Sequence, residues 1–571
     1  MKKLIAIVFV ATLAITLQAQ STQKISLEYI FVKETFQAQT VSGLRSMNDG
    51  EHYTTHENRT KIIKYSYKTG EEAEVIFDIT KVEDAIVLSF SDYQFSDDET
   101  KILLTTNVKP IYRHSFTAEY YVWNSVTEEL TQLSDKGAQQ VATFSPDGNR
   151  VAYVRDNNIF IKNLKFGSTS QITSDGEKNK IINGVPDWVY EEEFGDFTSP
   201  TGFNKAFWWS PDSKFIAFVR FDEREVPEFS MPMYAGASPE YKSNKLYPGE
   251  YTFKYPKAGE TNSTVTVLSY ELKSKSTINV NIGENTDIYI PRLNWTPDAN
   301  DLVVMKLNRH QNKLGVLYVN PYTGDSRPIL TEKNDRYIDE GFLDAFTYLE
   351  DGSFVVNSER DGWSHLYLYD KQGFEIAQLT EGDFDVTNFY GFDATKGVYY
   401  YQAAAESPLR REVYYISRDK KKKGKLSSLE GTNRAVFSTN FKYFINYYSS
   451  ARVPNFITLH SNQKKIEQIR FLQDNTVLKN TIKAINIPQK EFFSFTTSEG
   501  VELNGWMLKP VDFDASKKYP VIELSYTGPH TQVFPTSFNR AFGLQPYAEL
   551  GFIVVLVDGL GSSGRSKAFH D

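Results

Sequence analysis

One short pattern recurs along this chain. An aromatic or apolar residue leads into a tight turn of Ser, Thr, Pro, Asp and Gly, and a run of β-formers follows. It reads FSDDETKILLTT around Asp98, FSPDGNRVAYVRD around Asp147, WSPDSKFIAFVRF around Asp212, WTPDANDLVVMK around Asp298 and YLEDGSFVVNSE around Asp351. MNDGEHYTT around Asp49 belongs to the set, and FDATKGVYYYQ around Asp393 and FSTNFKYFINYY around Thr439 are weaker copies. Pro and Gly beside Asp set the dihedrals of a tight turn, and the flanks alternate as strands do. Many copies end in a second hairpin, as in NIFIKNLKFGSTSQIT and HLYLYDKQGFEIAQLT.

Units of roughly 40–50 residues with about four strands each are the signature of a β-propeller. Eight turns imply an eight-bladed β-propeller over residues 46–486, and the weakness of the last two copies leaves seven blades open. Several unrelated β-sandwiches would not explain the recurring turn. Asp49, Asp98 and Asp147 are evenly spaced, whereas the steps to Asp212 and Asp298 are wider, so those units carry insertions. Insertions in repeat folds usually build a binding face. A basic run, Lys420 to Lys423 with Lys425, reads as a solvated hairpin tip and is assigned no partner.

The chain has 571 residues, too many for one ordinary core, so two or more domains are expected. Aromatic residues make up 14%, which favours packing on pleated sheets. A net charge of -9 excludes a generic nucleic-acid binder. Lys2 and Lys3 precede an apolar stretch from Leu4 to Leu17, which reads as a signal peptide over 1–19, cut after Ala19, with an uncleaved anchor as the alternative. The stretch is short for a bilayer span of about 20 residues, and no later segment qualifies, so no membrane span is expected after cleavage. The expected location is secreted or periplasmic. Cysteine is absent, which excludes disulfides, thiol nucleophiles and Cys-based metal sites. No metal or cofactor signature is present.

Residues 20–45 form a leader segment, and after about residue 487 the texture changes. EFFSFTTSEG, VELNGWMLKP, YPVIELSYTGP and GFIVVLVDGLGSSG read as strands, and FNRAFGLQPYAELG as a helix. The apolar run Phe552 to Val557 suggests a strand covered on both faces, as in a mostly parallel α/β sheet. A second domain therefore begins here, an incomplete start of an α/β-hydrolase domain over 487–571. Such a fold carries its nucleophile on a G-x-S-x-G elbow. GWSHL at Gly362 lacks the second glycine and lies in a blade, and GLGSSGR at Gly559 offers Ser562 and Ser563 at the wrong spacing. Only His570 and Asp571 follow those serines, so neither is a credible nucleophile.

The segment DWVYEEEFGDF, from Asp187 to Phe197, crowds Glu191, Glu192 and Glu193 beside aromatics. From the residues alone, a solvated acidic turn is the ordinary reading. The chain resembles the dipeptidyl peptidase IV group of the prolyl oligopeptidase family of serine peptidases. DWVYEEE carries the resemblance, with YRHSFTAEY from Tyr112, YPKAGETNSTV from Tyr255, YTGP from Tyr526 and ISLEYIF near the mature start. It covers essentially the whole mature chain. It implies an eight-bladed propeller capping an α/β-hydrolase domain, and release of N-terminal dipeptides with Pro or Ala second. By motif, Glu192 and Glu193 would hold the substrate's α-amino group. Arg113 would bind a substrate carbonyl and steady the glutamates, and the Tyr526 hydroxyl would donate to the oxyanion.

The resemblance also implies a Ser, Asp and His triad that this sequence does not contain, so the chain as given is expected to be an inactive partial peptidase sequence. Leu560 stands where the family's D-x-R-G-S-G pattern has Arg. The expected partners are peptides with a free N-terminus, and a homodimer of the complete protein stays open. Two other readings stay open as well. One is a non-catalytic periplasmic propeller that captures peptide N-termini, and the other is a tripeptidyl relative.

Overall fold

The computed structural model describes residues 25–195, 204–236, 243–339, 343, 346–485, 487–526, 531–532 and 543–571. The expected signal segment 1–19 lies outside them. Among the described residues eight antiparallel sheets of four or five strands follow one another along the chain, at 45–78, 92–132, 140–171, 181–279, 288–333, 347–378, 386–425 and 432–473. In each, strands pair in sequence order. In the fourth and fifth sheets an extra short strand, Phe207–Trp209 or Leu293–Trp295, also pairs with the second long one.

Each recurring turn leads into a sheet's long second strand, from the first strand in most sheets and from the extra short strand in the fourth and fifth, and the side chains explain why. In the fourth sheet the Ser210 hydroxyl donates to Asp212 at 2.7 Å and accepts from the Phe215 amide at 2.9 Å. Thr296 does the same with Asp298 and the Asp301 amide, and Ser438 with Asn440 and the Tyr443 amide. The residue after the Asp or Asn is left-handed whether or not it is glycine: Gly148 at φ 65°, Ser213 at 59°, Ala299 at 59° and Phe441 at 56°. Local side-chain bonds hold these turns where propensity alone would not.

Period-two alternation then sorts the faces. On the strand Phe215–Asp222, Phe215 and Ala217 face the fifth sheet, while Ile216 and Phe218 face the third. The same sharing continues from each sheet to the next. It also joins the last sheet to the first, where Tyr53 and Tyr67 pack with Tyr443, Ile445, Ile457 and Leu459.

A hairpin, Glu228–Met233 with Gly249–Lys254, is inserted between two strands of the fourth sheet. The basic run forms a turn with Lys420 to Lys423 exposed, and Lys425 pairs with Glu406 at 2.7 Å. The segment from Ile25 packs with Phe36 against the helix Thr476–Ala484, through Leu478, Ile485 and Ile487.

The final sheet contains Glu491–Thr496, Glu502–Leu508, Val521–Leu524 and Ile553–Asp558. A mostly parallel sheet with Phe552–Val557 covered on both faces is not what forms. Among the described residues only the pairing of Val521–Leu524 with Ile553–Asp558 is parallel, and the other two are antiparallel. Val554 and Leu556 are buried with Trp506, Leu508 and Ala548, while Ile553, Val555 and Val557 are half-buried. One packed layer on one face gives that alternation. The expected helix is Gln545–Glu549, and residues 538–542 lie outside the described ones. Among the described residues no helix is long and apolar enough to cross a membrane.

Candidate functional site: an acidic helix facing an arginine loop

The acidic triplet ends a six-residue helix, Trp188–Glu193, rather than forming a turn. Asp187 caps it, accepting from the Tyr190 amide at 2.9 Å. The other Asp187 oxygen accepts from the Ser263 hydroxyl at 2.6 Å. Burial pushes this carboxyl up, and those hydrogen bonds oppose the shift. The Tyr190 hydroxyl accepts from the Ile290 amide at 2.8 Å, and Arg292 donates to the Phe194 carbonyl at 3.0 Å, where a cation suits a helix end. Gly195 follows the C-cap Phe194, and a Cβ there would meet the Glu191 carbonyl oxygen at 2.3 Å.

Consecutive helical positions point about 100° apart, so the three carboxylates have three fates. Glu191 is 2% exposed, and its Oε1 accepts from the amides of His114 at 2.8 Å and Ser115 at 2.9 Å. Glu192 is half-buried, with Oε2 3.3 Å from Nη1 of Arg113. Glu193 is exposed, and among the described residues no ion pair or hydrogen bond holds its carboxylate. The Arg113 side chain is 70% exposed. An ion pair this open contributes at most about 1 kcal/mol to stability, so its charges stay available to a ligand.

An aromatic wall stands beside the helix. Trp188 lies 4.1 Å from Tyr255 between ring centroids, Phe229 lies 5.6 Å from Tyr255, and Tyr112 lies 5.9 Å from Phe253. Under it, burial pushes the Glu223 carboxyl up to about 7, with the Asp187 charge adding and Lys254 opposing. Burial, then Tyr251, Glu223 and Glu191, raise Tyr112 well above the ordinary phenol value.

Three of the sequence stretches that carry the resemblance thus meet here: Arg113 in one, the acidic helix in another, Tyr255 and Ser263 in the third. Tyr526 is not among them. It lies beyond the end of Val521–Leu524, is 63% exposed, and no hydrogen bond or ion pair joins it to Arg113, Glu192 or Glu193 among the described residues. Residues 527–529 of YTGP lie outside the described ones. Ser562 is buried and donates to the Gly559 carbonyl at 2.8 Å. Leu560 is exposed, and Arg565 donates to the Glu502 carbonyl at 2.5 Å. Sequence reasoning missed Ser263, Arg292 and the separate role of Glu191. Ser263 and Arg292 carry no local signal, because Asp187 and Phe194 are remote from them in sequence.

Fold and site together define a mostly β protein of repeated antiparallel sheets with an acidic helix set against an arginine loop. The family model described as Dipeptidyl peptidase IV (DPP IV) N-terminal region matches residues 96–455, and the chain belongs to that family. It is 31% identical over 505 residues to a probable dipeptidyl peptidase 4 of Arthroderma benhamiae, covering 85% of this chain and 63% of that one. It is 30% identical over 508 residues to the dipeptidyl peptidase 4 of Trichophyton tonsurans, with the same coverage. The chain therefore spans less than two thirds of the length of these relatives. The crystal structure of Porphyromonas gingivalis dipeptidyl peptidase 4 superposes with a TM-score of 0.90 at 40% identity, over 96% of this chain and 76% of that one. A putative dipeptidyl aminopeptidase IV from Bacteroides ovatus shares the fold, with a TM-score of 0.78 at 22% identity.

Proposed function

We propose that the chain supplies the substrate-selecting part of an exported serine exopeptidase that removes dipeptides, X-Pro or X-Ala, from peptide N-termini. The eight sheets are then the blades of a propeller, and 487–571 is the start of an α/β-hydrolase domain. Glu192 and Glu193 receive the free α-amino group, and Arg113 receives a backbone carbonyl of the same peptide. Charge-assisted hydrogen bonds contribute roughly 1.5–3 kcal/mol each. Two of them fix the N-terminus, so one peptide bond at a set distance is offered for cleavage. Tyr526 is proposed as the oxyanion donor. Ser562 is buried and His570 is engaged by Glu359, so neither is proposed as a member of the triad.

The observation that carries this reading is the pairing of half-buried Glu192 with exposed Arg113, beside an exposed Glu193 that has no ion pair among the described residues. Calorimetric titration with Gly-Pro-Gly and its N-acetyl form tests it. The free amine should bind at least tenfold tighter, and Glu192→Gln or Glu193→Gln should each lose about tenfold, as one charge-assisted bond implies. Equal affinity for the two peptides would overturn the amine reading.

A further inference from the structure

We propose that Glu191 is a positioning residue that sets Arg113 against the acidic helix, a role that rests on the reading of Glu192 and Arg113 as substrate-binding groups. Arg113 sits in the connection between Lys101–Pro110 and Phe116–Asn124, two long strands of the second sheet. A bulge interrupts their pairing between Thr106 and Lys109, so the end that carries Arg113 is re-aimed away from the regular ladder. Past the ladder the connection is closed by the Ile111 amide, which donates to the Ser115 carbonyl at 2.8 Å. The acidic helix belongs to the fourth sheet's stretch of chain, with the third sheet's residues between the two in sequence.

Two of the contacts that span this gap reach the carboxylates of the acidic helix. One is the exposed Arg113–Glu192 pair, which is too weak to hold a loop. The other is the buried Glu191 carboxylate, whose single oxygen takes the two successive amides that directly follow Arg113. Successive amides converging on one anion form a small concave anion site, here filled by the protein's own carboxylate. Because the anion is buried and the amides are main chain, the geometry is fixed from the backbone outward. The Arg113 Cα is thereby placed, and its guanidinium needs only side-chain torsions to reach Glu192 or a bound carbonyl. Glu191 itself is unavailable to an incoming amine, being 2% exposed and already engaged. The helix cap at Asp187 holds Glu191 in turn.

Trypsin reads this directly. The bond it would cut, Arg113–His114, contains the amide that donates to Glu191. In Glu191→Ala, cleavage there under native conditions should run at least ten times faster than in the wild type, at an unchanged rate in the exposed Lys420–Lys423 turn. A double-mutant cycle gives the functional arm. Arg113→Ala should weaken Gly-Pro-Gly binding about tenfold in the wild type and less than twofold in Glu191→Ala. Should Glu191→Ala fail to fold, Glu191→Gln keeps the shape and an acceptor oxygen without the charge, and should still be cut faster at Arg113. Unchanged cleavage at that bond, or equal effects of Arg113→Ala in both backgrounds, would overturn the proposal. A wild type that binds free and acetylated peptide alike would sink the amine reading, while the cleavage rate would still report whether Glu191 holds the loop.

Discussion

The rings of Tyr67 and Tyr443 stack 5.6 Å apart and 4° from parallel, joining the first sheet to the eighth. Around them, Lys442 donates to Glu51 at 2.7 Å and the Thr439 hydroxyl to the Met47 carbonyl at 3.0 Å. Both rings are buried, whereas the Lys442–Glu51 pair is exposed. Tyr443→Ala should therefore lower unfolding free energy by about 3–5 kcal/mol, and Lys442→Ala by no more than about 1. Urea denaturation checks both. A Tyr443→Ala midpoint equal to wild type would show that the seam carries no stability.

Glu359 holds the end of the chain described here. Its carboxylate meets Nε2 of His570 at 2.6 Å and Nζ of Lys567 at 3.2 Å, all three side chains being buried. Lys567 also donates to the Tyr337 carbonyl at 2.8 Å. Removing one member of a buried charged group costs roughly 3–5 kcal/mol. Glu359→Ala should accordingly release residues 560–571, seen as faster amide exchange there than in the wild type. Unchanged exchange would mean that apolar packing alone docks this segment.

Glu223 makes stability depend on pH. Its carboxyl is pushed up to about 7 from 4.5, so between those values the folded chain keeps a proton that the unfolded chain has lost. Its contribution is present below about pH 4.5 and gone above about pH 7, on the order of 1–3 kcal/mol. Glu223→Gln should be the more stable chain at pH 7.5, with the gap to wild type closing towards pH 5. Melting temperatures of the pair across that range decide it, and parallel curves would exclude the effect.

The turns offer a test in both directions. Ala299 sits at φ 59°, where a Cβ is strained, so Ala299→Gly should gain up to about 1 kcal/mol. Ser210 is buried and holds both Asp212 and the Phe215 amide, so Ser210→Ala should lose roughly 1–3 kcal/mol. A destabilised Ala299→Gly would show that chain entropy outweighs the strain.

What could be read beforehand follows from what is local. The turn motif is a local signal, because the hydroxyl, the carboxylate and the amides it binds lie within five or six residues. It marks the entry to the long second strand of each sheet. The glutamates were legible as a cluster, but not their division of labour. That division depends on a helical step that DWVYEEE, with its aromatics and a β-branched valine, does not advertise, and on amides at His114 and Ser115 remote in sequence. The parallel sheet was overread, because an apolar run such as Phe552–Val557 looks the same whether one face or both are covered.

The seam between the first and eighth sheets also sets a waiting time. Tyr53 and Tyr67 find their packing partners only in Tyr443 to Leu459, and the Glu51–Lys442 contact spans 391 residues of chain. At synthesis rates of about 5–20 residues per second, roughly 20–80 s pass before that partner exists. Through that interval the first sheet presents one apolar face and an edge with nothing to cover them. The nascent chain is then most exposed to chaperones, and to its neighbours on the same message.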